Sequence, residues 1–260
     1  MNRGQSRFSE LRRQLNEAFL EQSMLAVPSA PTPSEEVNDA VKWIGERLAS
    51  WGIRTVNSTT PAGFEAYARL LHPAWIDGNV PAPWSRVAQW SGRPLAGTMS
   101  FDSVAERPDG VKWDSVGARP KSGELTSSIA LDLARVLVEY TATPAICWFC
   151  VWTGWGDLNV GGVKIVDITR SITASGRQYA LFCADVQAIT TVLGIGRRAE
   201  FRTPSFWWPD DHAWFVSTEI DAESTYVAGT TMLMNRLLRT PNLEVLPASL
   251  ADPLDGEPAS

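Results

Sequence analysis

Hydrophobic residues along this chain switch repeatedly between helical and strand spacing. Phe8, Leu11, Leu15, Ala18 and Phe19 share one stripe, with Arg12, Arg13, Asn16 and Glu17 off it, which predicts an amphipathic helix within residues 1–26. Residues 27–32 form a connector stiffened by Pro28 and Pro31. A second helix is announced by Thr32 as N-cap, Pro33 at the first helical position and Glu35 completing a capping box. Its apolar face is Val37, Val41, Ile44 and Leu48, and Gly52 supplies a left-handed stop. Residues 53–58 read as a strand. In 64–71, Phe64, Ala66, Ala68 and Leu70 alternate with Glu65, Tyr67 and Arg69, so a strand is expected between two turn signals. Residues 84–91 predict a short helix closed by Gly92, and the charged, Gly- and Pro-containing stretch 101–124 an exposed loop.

Further on, Thr126 or Ser127 opens a long helix whose Ile129, Leu133, Val136, Leu137 and Tyr140 face inward, with Pro144 closing it. The solid apolar run 145–152 predicts a buried central strand. Strands are also expected at 164–167, 177–183, 213–220 and 243–246, with helices at 185–193 and 230–239, the latter capped by Thr230. This irregular mixture predicts an α+β fold: a mixed or mostly antiparallel sheet flanked by helices, with an extra N-terminal helix. The organisation expected is a single domain over 33–247, followed by a disordered acidic tail at 248–260.

Composition sharpens this picture. The chain has 12 tryptophans in 260 residues. Each can bury roughly 200 Å², so a large core needs neither metal nor disulfide. A net charge of −6 argues against a nucleic-acid partner. The longest apolar run, 145–152, is far short of the roughly 20 residues of a helical membrane span, and the polar residues 1–7 lack the apolar core of a signal peptide. The chain therefore reads as cytoplasmic, with no membrane contact. Cys147 and Cys150 have the C-x-x-C spacing but lie inside a strand, away from any helix N-terminus that would lower a thiol pKa. Together with Cys183 they read as buried, inert thiols. An Arg-rich, Lys-poor composition points to a GC-rich bacterial genome.

The chemistry concentrates between Phe206 and Asp221, where His212 stands beside Asp210, Asp211, Glu219 and Asp221. Strand alternation puts Glu219 and Asp221 on one face with Phe215 and Ser217, and Trp214, Val216, Thr218 and Ile220 on the core face. The plain reading is a turn at Asp210-Asp211 and carboxylates on a solvated strand face. The sharper one is a set of oxygen and imidazole ligands that activates water, with His72 as a general base. The spacing matches no metal signature, so no metal or cofactor is predicted. Catalytic candidates are His72, His212, Glu219 and Asp221. Binding candidates are Trp207, Trp208, Asp210 and Asp211, with Arg197 and Arg198, whose guanidinium forks suit an anion. The Gly194-Ile195-Gly196 string before those arginines lacks the third glycine of a dinucleotide fingerprint and follows a helix rather than a strand, so a solvated basic loop is the plainer reading there.

Two strings carry a resemblance. One is Gly63-Phe64-Glu65-Ala66-Tyr67-Ala68-Arg69-Leu70-Leu71-His72-Pro73. The other runs from Trp207-Trp208-Pro209-Asp210-Asp211-His212 to Asp221, with Ser224-Thr225-Tyr226-Val227-Ala228-Gly229 and Leu243-Glu244-Val245-Leu246-Pro247 after it. Over residues 63–247 the chain resembles a family of uncharacterised actinobacterial proteins, a resemblance that brings no activity and no functional residue with it. The function expected is a non-enzymatic protein-binding module of immunity or regulatory type, whose aromatic anchors and acidic face meet a basic partner protein. The alternative is a metal-dependent hydrolase using the His/Glu/Asp candidates.

Overall fold

The computed structural model describes residues 36–77, 80–155, 164–166, 177–190 and 202–256. Its strands are β1 (Ala66–Leu71), β2 (Ala74–Ile76), β3 (Val80–Ala82), β4 (Gly117–Ala118), β5 (Cys147–Trp152), β6 (Lys164–Val166), β7 (Tyr179–Ala184), β8 (Phe206–Pro209), β9 (Phe215–Thr218), β10 (Ser224–Gly229) and β11 (Val245–Ala248). Its α-helices are α1 (Glu36–Gly45), α2 (Trp84–Ser91), α3 (Phe101–Val104), α4 (Ser127–Leu137) and α5 (Thr231–Leu237). Eight strands form one sheet in the order β11-β1-β10-β9-β8-β5-β7-β6, and three form a second in the order β3-β2-β4. Every pairing is antiparallel, so the fold is α+β with an antiparallel main sheet. Residues from Asn38 onward form one compact unit.

Register sorts the side chains of the main sheet into two faces. Leu70, Ala68, Val227, Val216, Trp207 and Phe149 point to one side, where they meet Leu133 and Leu137 of α4 and Leu233 and Leu237 of α5. Both helices begin as their sequences require: the hydroxyl of Thr126 accepts from Ile129 N and that of Thr230 from Leu233 N. Trp214 is fully buried on this side, and its indole N–H donates to the Leu137 carbonyl at 3.0 Å. The opposite face carries Phe206, Trp208, Phe215 and Tyr226. Trp43 of α1 packs edge-on against Trp208 and Phe215, while Leu254 and Val56 cover Tyr226.

Because both faces are covered, every residue of β8, β9 and β10 is buried. Strands of this kind show no period of two. That is why β8 and β10 leave no alternating signal, and why the expectation of a solvated face on β9 fails: Phe215 and Ser217 are as inaccessible as Trp214 and Val216.

Three further expectations are corrected. Residues 53–58 are not a strand but run from the end of one 3-10 turn, Trp51–Ile53, through a second, Val56–Ser58, with Thr55 between them bridged to Pro253. Residues 101–124 are not an exposed loop. Phe101 and Val104 of α3 and Trp113 are buried with Trp84 and Val87 of α2, and form a second core beneath the small sheet. Residues 248–256 are not a disordered tail. Ala248 closes β11, Val56 N and Asn57 N donate to the carbonyls of Asp252 and Leu250, and Asp255 reaches the buried guanidinium of Arg69. The predicted N-terminal helix, the connector and its capping box, and Arg197 and Arg198 lie outside the described residues.

Candidate functional site

The candidate residues fall at opposite ends of β9. His212, Asp210 and Asp211 precede the strand, while Glu219 and Asp221 follow it. At roughly 3.3 Å per residue the strand alone separates them by about 10 Å, before the flanking turns are added. His72 stands at the Glu219 end, because Leu71 pairs with Ser224 and His72 N donates to the Glu223 carbonyl at 3.0 Å.

At that end His72 is completely buried. Its Nδ1 lies 2.9 Å from the Lys121 carbonyl and its Nε2 2.9 Å from the Thr225 hydroxyl. A carbonyl only accepts, so Nδ1 carries the proton, Nε2 accepts from Thr225, and Thr225 in turn accepts from Thr218 at 2.8 Å. Burial lowers the imidazole pKa to about 4, which keeps the ring neutral. The order carbonyl–imidazole–hydroxyl is that of a general-base relay. Here, however, Thr225 and Thr218 are sealed in the core with it.

Glu219 does not join His72. It is almost fully buried, against the expectation of a solvated strand face, and Arg177 holds it in a short ion pair. Burial pushes its carboxyl above the usual range even with Arg177 beside it. The exposed Asp221 takes the other arm of Arg177 at 3.6 Å. Arg177 was not legible as a site residue, since an arginine at a strand entrance looks like any solvated one.

At the opposite end, the Asp210–His212 turn is exposed but rigidly made. Asp211 accepts from Thr141 Oγ1, Ala142 N and Ala213 N, and Asp210 accepts from the Trp148 indole at 3.1 Å. His212 adopts φ +53° and stacks on Trp43, ring centres 4.3 Å apart. Partial burial and Arg47 lower its pKa against the opposing pull of Asp210 and Asp211. Trp207 and Trp208, expected to bind a partner, are instead core residues with no accessible surface.

A third polar centre escaped the sequence reading. Arg69, only 1% exposed, donates from Nε to Ser224 Oγ and from Nη1 to the carbonyls of Gly97 and Met99, and pairs with Asp255 at 3.4 Å. Its guanidinium lies 5.3 Å from the Trp84 ring centre. It fastens the main sheet to the turn after α2 and to the chain's end, a structural task.

Among the described residues, no group of three or more His, Cys, Asp or Glu is placed to hold a metal ion, and no helix is long and apolar enough to cross a membrane. Comparisons with protein-family models, curated proteins and solved structures found no match.

Proposed function

We propose that this chain is a binding domain that docks a basic surface of another protein through the corner made by Asp210, Asp211, His212 and Trp43. The observation that carries this reading is the division of the candidate residues. Of the catalytic candidates, His72 is sealed in the core and Glu219 is clamped by Arg177, whereas His212 stands with Asp210 and Asp211 on an exposed, hydrogen-bonded turn. A pre-ordered turn loses little entropy on association. Aromatic rings beside charged groups supply the anchor that interfaces favour. Ile146, 43% exposed, adjoins the turn through the Asp210 N to Ile146 carbonyl bond and adds apolar area. The net charge of −6 sets the sign of the partner.

The test is affinity capture from the native cell extract with the wild-type chain and with Asp210→Lys, each at low and at raised salt. A partner retained by the wild type, released by salt and lost by the variant is the expected result. A partner held equally by both chains overturns the reading. So does metal-stimulated hydrolysis of phosphodiester or ester substrates that disappears in Glu219→Gln.

A further inference from the structure

We draw no further inference here: the strongest candidate, the cleft of about 290 Å³ lined by Pro73, Trp75 and Leu125 between the three-stranded sheet and the start of α4, has its charged groups Glu124 and Lys121 paired with each other and with Arg202, and nothing in the structure shows what covers it.

Discussion

The side chains that look alike in the sequence have very different energetic weight in the fold. Glu219 and Asp221 share Arg177, yet Glu219 is 6% exposed and Asp221 72%. Glu219→Ala removes the nearer carboxylate from a half-buried guanidinium, so a loss of about 2 kcal/mol is expected. Asp221→Ala should cost less than about 1 kcal/mol. Trp214→Ala removes a fully buried ring and the donor to Leu137, and should cost about 3–5 kcal/mol. Urea denaturation of the three variants checks the order Trp214, Glu219, Asp221; equal effects at Glu219 and Asp221 would count against the Arg177 clamp. His72 makes a prediction about pH. Its folded pKa of about 4 lies below the ordinary 6.5, so the stability of burying it neutral is complete above pH 6.5 and is lost as pH falls toward 4. A displacement of that size corresponds to about 3 kcal/mol. Glu219, Glu223 and Asp255, raised by burial, slope the other way, so the measurement is the difference between parent and His72→Gln across that window. The parent should lose its stability more steeply; parallel curves would show that the imidazole titrates normally.

Elements with one wet side were legible in the sequence, whereas of the strands wrapped on both sides β5 and β9 were expected and β8 and β10 were not. The helices α4 and α5 were readable because their caps, Thr126 and Thr230, and their apolar stripes obey the same geometry in the sequence as in space. The strand β1 was found through an alternation in which Arg69 supplied a polar beat, although Arg69 turns out to be buried. The recognition was correct and the implied solvated face was not. For β8 and β10 no periodicity existed to be read. The solid run of β5 was readable because its length suits a buried strand, and it places Cys147 and Cys150 on opposite faces. Burial pushes both thiols well above their ordinary pKa, whereas Cys183, half-buried on neighbouring β7, is raised to about 11. A thiol reagent on the native protein should therefore label Cys183 first and leave Cys147 and Cys150 untouched until denaturant is added. Early labelling of Cys150 would contradict the central place of β5.

At the scale of the whole molecule, residues 249–256 pack over a sheet whose strands begin far upstream. Composition alone marks residues 248–260 as a tail, because three acidic residues and two prolines stand there against two large apolar ones, Leu250 and Leu254. Three contacts decide otherwise, and none is visible locally. Leu254 joins Val56 and Tyr226 in a small core, the carbonyls of Leu250 and Asp252 accept from the backbone of 56–57, and Asp255 meets both Arg69 and the Glu223 amide. A chain ending at Ala248 would keep Arg69 in the interior without its carboxylate. Stranding one partner of a buried ion pair costs about 3–5 kcal/mol, against a total stability of about 5–15 kcal/mol for a typical domain. Asp255→Ala removes the charge but keeps Leu254 and the backbone bonds, and Leu254→Ala removes the apolar contact but keeps the pair. Each single change should lower the melting temperature by several degrees for a protein of this size, and the truncation should exceed either and leave little cooperative unfolding. Melts followed by circular dichroism separate the possibilities. If the truncated chain melts with the intact one, the segment is a passenger and Arg69 is balanced by Ser224 and the two carbonyls alone. If it fails to fold while both single variants survive, the closing segment is a cooperative part of the sheet.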